Sequence, residues 1–265
     1  MTSHERDNQR EADQSIINRL RLDGRKALVT GGGQGLGQMF AHALAEAGAD
    51  VAIADINREK AERVAAEIRS LGRQSMAITV DISKAMEATR MVAEVMTAWG
   101  RLDIAVNNVG VAIPIKPAME VTEEEWDHVI NTNLRGTFFC AQAEARAMQS
   151  RHYGKIINVS SICGRIVWPN PQAVYSISKA GVSHLTRCLA AEWIPHGIRV
   201  NCISPGVTRT PDLFPEVVPM FLKTAPIDHV AEARDMQGAV LYLAAEASDF
   251  VVGHDLVLDG GYTVR

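Results

Sequence analysis

Thr30-Gly31-Gly32-Gly33-Gln34-Gly35-Leu36-Gly37 follows directly on the apolar run Lys26-Ala27-Leu28-Val29. A helical pattern comes next, carried by Met39, Phe40, Ala43, Leu44 and Ala47. Strand, glycine-rich turn and helix N-terminus in that order make a site for the phosphates of a dinucleotide. The turn has to bring backbone N–H groups up to a pyrophosphate, and a Cβ at the point of approach would block it. Glycine-rich turns also simply end strands, so this motif alone leaves both readings open. A second stretch, Tyr175-Ser176-Ile177-Ser178-Lys179, supplies a matching reaction centre.

Outward from the turn, short apolar runs alternate with helical patterns. The runs Lys26–Thr30, Val51–Asp55, Ser75–Val80, Asp103–Asn107, Lys155–Ser160, Ile198–Ile203 and Asp255–Leu258 are rich in Val, Ile and Ala and barely alternate. That suits strands of a parallel sheet covered on both faces. Helices are predicted at about 35–48, 58–71, 84–99, 122–149, 172–194 and 230–246. Thr122-Glu123-Glu124-Glu125 reads as a capping box, so its glutamates are first-turn residues and not catalytic ones. The alternation predicts one α/β domain, a doubly wound parallel sheet of about seven strands with helices on both faces. Ligands bind such sheets at the carboxyl ends of the strands. Gly31, Asp55, Asp81, Asn107 and Ser161 all follow a predicted strand.

Residues 1–22 are polar, with a thin stripe of Ile16, Ile17 and Leu20, and read as a flexible N-terminal extension or surface helix. The domain then covers 23–265. Five prolines between Pro205 and Pro226 mark an ordered loop or lid, about 207–226, beside the site.

The 265 residues are 47% hydrophobic and 22% charged, with a formal charge of −4. This composition suits a soluble globular protein and argues against nucleic acid or an anionic membrane as partner. Cys140, Cys163, Cys188 and Cys202 are scattered, with no zinc-site spacing, so no metal is expected. Reduced thiols and a polar N-terminus point to the cytoplasm.

Asp55 closes the second strand, 18 residues after Gly37. A carboxylate there accepts the adenosine ribose hydroxyls and repels a 2′-phosphate. At about 4 Å and an effective dielectric near 20, each unit of like charge costs roughly 4 kcal/mol. The neighbours Ile56, Asn57 and Gln34 offer no cation, while Arg58 is near in sequence. Capping of the next helix is the other role open to Asp55. Tyr175 and Lys179, four apart in a helical stretch, share one face. A free phenol has a pKa near 10, and a neighbouring ammonium lowers it toward that of a usable base. The same spacing also occurs in ordinary surface pairs.

In company, these motifs resemble the short-chain dehydrogenase/reductase family, from about Leu22 to Val264. The matching stretches are TGGGQGLG at 30–37, Asp81-Ile82, NNVG at 107–110, Asn133 in NTNLRGTF, VSS at 159–161, YSISK at 175–179, PGVTRT at 205–210 and DGGYT at 259–263. The resemblance implies a single Rossmann-type domain, an enzyme, and a catalytic tetrad of Asn133, Ser161, Tyr175 and Lys179. Tyr175 would be the acid/base and Ser161 would orient the reacting oxygen. Lys179 would bind the nicotinamide ribose and lower the Tyr175 pKa. Asn133 would hold a proton-relay water. Ser161 is preferred to Ser160 because Gly164 aligns with the glycine that follows the family's catalytic serine.

The cofactor would be NAD, held by Gly31, Gln34, Gly35, Leu36, Gly37 and Asp55, by Asp81 and Ile82 at the adenine, and by Asn107, Asn108 and Gly110 at the adenosine side. Tyr175 and Lys179 would also touch it, with Pro205, Gly206, Thr208 and Thr210 at the nicotinamide. Val109 replaces the commoner alanine of NNAG. The Ser161–Tyr175 interval is one residue longer than is common in the family.

The stretch WPNPQAVYSISKAGVSHLTRCLAAEW and the ending DGGYTV are most like polyol and sugar-alcohol dehydrogenases. Gln172, Asn170 and Ser161 would meet hydroxyls, with Ile162, Cys163 and Trp168 as an apolar wall. A turn shaped by Trp168 and Asn170 is the plainer alternative. The expected activity is NAD-linked oxidation of a secondary alcohol. A 3-oxoacyl-thioester reductase using NADPH and a non-catalytic nucleotide sensor are the competing readings. The family also implies a homo-oligomer, a tetramer or dimer, paired through helices near 122–149 and 172–194.

Overall fold

The computed structural model describes residues 15–264. Seven strands form one sheet: β1 (Lys26–Thr30), β2 (Asp50–Asp55), β3 (Ser75–Thr79), β4 (Ile104–Asn107), β5 (Gly154–Val159), β6 (Ile198–Pro205) and β9 (Asp255–Leu258). Their order is β3-β2-β1-β4-β5-β6-β9, and every pairing is parallel. The chain runs outward from β1 to β3, then returns to place β4 on the other side of β1. That reversal opens a crevice between β1 and β4 at their carboxyl ends, where Thr30 pairs with Asn107.

Both faces are covered, which is why the strands read as nearly continuous apolar runs. Val29, Ile53 and Val106 point into one core with α2 (Gly35–Glu46), α3 (Arg58–Ser70) and α9 (Gln237–Ala244). Leu28, Ala52 and Ala105 point into the other, packed by α4 (Ala85–Trp99), α6 (Thr137–Gln149) and α7 (Ala173–Trp193). The first helix described, α1 (Ile16–Arg19), is a single turn with Ile16 and Ile17 exposed, whereas Leu22 is buried. The part of the expected extension before residue 15 lies outside the described residues. Among the described residues no helix is long and apolar enough to cross a membrane.

Three segments differ from the sequence expectation. The helix predicted at 122–149 is α5 (Glu123–Ile130), a wider π-helical turn Asn131–Gly136, then α6. The capping box at Thr122 is present. The helix predicted at 230–246 begins only at Gln237, after β8 (Ala231–Glu232) and a 3₁₀ turn. The proline-rich loop contains β7 (Thr208–Arg209), paired with β8, and a helix, α8 (Val217–Thr224). Pro219 conceals α8 in the sequence, yet it sits in the first turn, where no intrahelical N–H is needed.

Candidate active site

A cleft of about 910 Å³ lies over the crevice. Gly31 and Gly35 border it in left-handed backbone, with φ of 61° and 56°. Gln34 and Leu36 line it as well, but Gly37 does not. A Cβ on Gly37 would stand 2.1 Å from the Gly31 carbonyl oxygen, so this glycine lets α2 seat against the turn. Asp55 lines the next stretch. Its Oδ2 accepts from Gly33 N–H at 3.0 Å and its Oδ1 from Asn57 N–H at 2.9 Å. The carboxylate braces the turn while remaining at the rim. Asp81 and Ile82 follow, and the Ser83 hydroxyl, at 2.6 Å, holds the Asp81 carboxyl below the usual range.

Asn108 and Gly110 line the cleft, and Asn108 Nδ2 donates to the carbonyls of Thr30 and Gly31 at 3.2 Å. Asn107 does not belong with them. It is buried beneath the cleft floor, donating to Glu144 Oε2 at 3.0 Å and Asn158 Oδ1 at 3.1 Å. Alternation along β4 explains the correction: successive side chains leave opposite faces. Pro205, Gly206, Thr208 and Thr210 close the far wall.

Ser161, Tyr175 and Lys179 meet at the inner end. Ser161 Oγ accepts from Cys163 N–H at 3.2 Å and also acts on the Tyr175 phenol by hydrogen bonding. Ser160 also borders the cleft, but its hydroxyl is engaged within the protein, donating to the Lys179 carbonyl at 2.7 Å and receiving the Ser183 hydroxyl at 2.9 Å. Lys179 Nζ donates to the Val159 carbonyl at 2.9 Å and lies 5.8 Å from the Tyr175 ring centroid. Burial brings its pKa down to about 8. Tyr175 is pushed above the ordinary phenol value by desolvation and by Cys163, against the Ser161 hydrogen bond. The lowering expected from Lys179 is therefore not met in this arrangement: the ammonium is turned to Val159, and burial decides the phenol. Desolvation also raises the Cys163 thiol.

The wide turn Asn131–Gly136 delivers Asn133 to this cluster from behind. Its side chain is fully buried, accepting from Val111 N–H at 2.8 Å and donating to the Val111 carbonyl at 2.9 Å and Ser178 Oγ at 3.0 Å. Both amide protons are engaged, so its N–H groups cannot hold the relay water expected of it. Gly110 keeps the centre open, since a Cβ there would stand 2.9 Å from Lys179 Nζ.

Cys163, Trp168 and Gln172 line the remaining part of the cleft, with Leu213, Phe214 and Val217 from the loop. Asn170 is not among them. Its amide faces Met220 Sδ at 2.8 Å, drawn off by α8.

A family model described as enoyl-(acyl carrier protein) reductase, of the short-chain dehydrogenase type, matches residues 31–263. Galactitol 2-dehydrogenase of Rhizobium johnstonii is 36% identical over 255 residues, 94% of this chain and 99% of that one. The chain belongs to the short-chain dehydrogenase/reductase family. A crystal structure of a short-chain type dehydrogenase/reductase from Mycobacterium marinum superposes with a TM-score of 0.92 at 36% identity, covering 95% of this chain and all of that one. A gluconate 5-dehydrogenase from Burkholderia cenocepacia, solved with NADP and tartrate, gives 0.89 at 35% identity, over 95% and 100% of the two chains.

In this short-chain dehydrogenase the sequence reading missed groups that arrive from afar. Gln34 Nε2 donates to Asp212 Oδ2 at 2.6 Å, tying the glycine turn to the loop, and Lys60 Nζ bonds Gln34 Oε1 from behind. Arg63 donates to the Gly33 carbonyl at 2.8 Å. Both cations sit one and two turns into α3, beyond the immediate neighbours of Asp55. His128 and Thr132 also reach the cleft, and no local pattern marks them.

Proposed function

We propose that this dehydrogenase moves a hydride between NAD(H) and a secondary alcohol or its ketone, a small polyol or sugar. The observation that supports it is one cleft with Asp55 at its outer rim and Ser161, Tyr175 and Lys179 at its inner end. The residues fit a nicotinamide dinucleotide. Left-handed glycines at 31 and 35 leave backbone N–H groups of the turn and α2 open to the pyrophosphate. Asp55 meets the adenosine ribose, and Asp81 and Ile82 border the adenine end. Thr208 and Thr210 stand at the nicotinamide end. The bound nicotinamide supplies or accepts the hydride.

Tyr175 exchanges a proton with the reacting oxygen, and its raised pKa keeps that proton on the phenol in the direction of ketone reduction. Ser161 Oγ holds the same oxygen. Lys179, partly neutral near pH 8, binds ribose hydroxyls. Asn133 fixes Val111 and thereby the floor under Lys179. Gln172 offers an amide to a further hydroxyl, beside the apolar Trp168 and Cys163.

The likeness to galactitol 2-dehydrogenase supports the polyol reading. The NADP in the gluconate 5-dehydrogenase makes cofactor choice the first thing to measure. A 3-oxoacyl-thioester reductase would need a cation for the 2′-phosphate where Asp55 stands. A homo-oligomer paired through α5, α6 and α7 belongs to the same reading and is checked by light scattering. The enzymatic test follows NADH absorbance with galactitol, cyclopentanol and 2-propanol. The polyol should exceed 2-propanol in kcat/KM by several tens-fold, because a hydroxyl-binding group left unpaired is costly. Gln172→Leu should reduce that preference. Faster turnover of 3-oxoacyl thioesters with NADPH would overturn the reading.

A further inference from the structure

Two stretches of chain, 162–174 and 207–217, border the inner end of the cleft on the substrate side. Cys163 and Trp168 from the first and Leu213, Phe214 and Val217 from the second pack into one apolar cluster. Trp168 and Val217 are buried, while Cys163, Leu213 and Phe214 stay half-buried and border the cleft. The cluster is held from behind. Trp168 stacks on Tyr262, with centroids 5.2 Å apart and planes at 26°, and Tyr262 stacks on Phe221 of α8 at 5.0 Å and 14°. Cys163 also acts electrostatically on the Tyr175 phenol, so the cluster reaches the reaction centre. Polar side chains are scarce beside it. Thr208 and Thr210 stand at the nicotinamide end, Asp212 is bonded to Gln34 at 2.6 Å, and Asn170 is turned to Met220. Of the polar side chains that these two stretches bring to the cleft, Gln172 is left for the substrate.

We propose that the substrate is a vicinal diol with a hydrocarbon flank: a secondary alcohol whose second hydroxyl meets Gln172 and whose other side is an alkyl group lying on Cys163, Leu213 and Phe214. This rests on the polyol reading of the same site and narrows it to polyols deoxygenated on one side. A hydroxyl set against the cluster gives up water and meets no side-chain oxygen or nitrogen on those three residues. A methylene in the same place leaves water favourably. Oxidation passes the hydride of the carbinol carbon to NAD+ and the hydroxyl proton to solvent through Tyr175, leaving an α-hydroxy ketone.

The test measures kcat/KM with NAD+ for 1,2-propanediol, 1,2-butanediol and 1,2-pentanediol, each enantiomer separately, beside 2-propanol, 2-pentanol and 1,2,4-butanetriol. In the wild type each added methylene should raise kcat/KM roughly threefold. The triol, which differs from 1,2-butanediol by one terminal oxygen, should fall about tenfold below it. Leu213→Asn and Phe214→Asn should each flatten the methylene series. Gln172→Leu should keep the series steep and lower 1,2-pentanediol relative to 2-pentanol. These are ratios within one protein, so a loosened loop that slows every substrate alike leaves them unchanged. A methylene effect that survives both asparagine variants therefore overturns the proposal. With 1,2-propanediol still ahead of 2-propanol, a flat wild-type series, or a triol as good as 1,2-butanediol, overturns this inference and leaves the polyol reading standing. A wild-type enzyme that turns over 2-pentanol as well as 1,2-pentanediol overturns both.

Discussion

The Ser160 hydroxyl donates to the main-chain carbonyl of Lys179 at 2.7 Å, while its neighbour Ser161 faces the cleft. Two adjacent serines at the end of β5 thus do different work: one ties the strand to α7, the other meets the phenol. Ser161→Ala should reduce kcat by at least about tenfold more than Ser160→Ala, on the order of 1.4 kcal/mol of transition-state stabilisation. Ser160→Ala should instead lower Tm, because it removes the buried hydrogen bond that ties β5 to α7 and the acceptor of the Ser183 hydroxyl. Steady-state rates and thermal melts of both variants check this; the reverse order of rates would reassign the serine.

Tyr175 carries the transferable proton in the proposed chemistry, and its ring packs whether or not the hydroxyl is there. Tyr175→Phe should lower kcat by about a hundredfold or more with NADH affinity nearly intact. Lys179→Ala should damage both turnover and cofactor affinity. Substantial activity in Tyr175→Phe would remove that residue from its role.

Cofactor choice turns on charge at the rim. Both Asp55 carboxylate oxygens already accept backbone N–H bonds, which fixes the negative charge where a 2′-phosphate would lie. Lys60 and Arg63 stand behind the turn and are engaged with Gln34 and the Gly33 carbonyl. Fluorescence titration should show NADH bound more tightly than NADPH. Asp55→Ser should narrow the gap, because it removes the negative charge that repels a 2′-phosphate, while Arg63 stays paired with Glu67. Tighter NADPH in the wild type would mean that the cations already dominate.

The strut from Gln34 to Asp212 crosses from the glycine turn to the loop, so it must be re-formed around a bound dinucleotide or be given up. Asp212→Ala should raise the NADH dissociation rate, read by stopped-flow fluorescence, by about threefold or more, with the chemical step little changed. An unchanged rate would show that the loop closes without the strut.

Much of this is legible in the amino-acid sequence. All seven sheet strands are, because each is a short β-branched run ending in residues that need a loop, as Val29-Thr30-Gly31 does. Gly31, Asp55, Asp81 and Ser161 are legible as cleft-lining residues because parallel topology puts every strand end at one edge. Of the two asparagines expected at the adenosine side only Asn108 borders the cleft, because a one-residue step on a strand reverses the face. The wide turn at Asn131–Gly136 leaves no compositional mark inside a helical pattern. Gln34–Asp212 and Trp168–Tyr262 join residues far apart in the chain, and nothing local in either partner names the other. Asn170 looked available for substrate until α8, disguised by Pro219, brought Met220 to it.

Glu144 was the least legible residue, a single charge in an ordinary helical stretch. In the structure it is fully buried in α6, its Oε2 accepting from Asn107 and its Oε1 without a partner. Desolvation raises its pKa to about 8 from an ordinary value of 4.5, and Cys140, raised in turn by burial and by Glu144, is the neighbouring titratable group. The folded state therefore binds a proton that the unfolded state releases between these values. Stability from this group is present below pH 4.5 and is lost as pH rises toward 8, by on the order of a few kcal/mol. Lys179 acts in the opposite sense and in a separate window. Its lowered pKa makes stability rise between about 8 and its ordinary 10.5, so melts are best compared below pH 8. Glu144→Gln cannot ionise and keeps an oxygen for Asn107. Its Tm should fall less than that of the wild type between pH 5 and 8. Parallel curves for the two proteins would show that Glu144 does not titrate in that range, and that its unpaired oxygen is satisfied in solution.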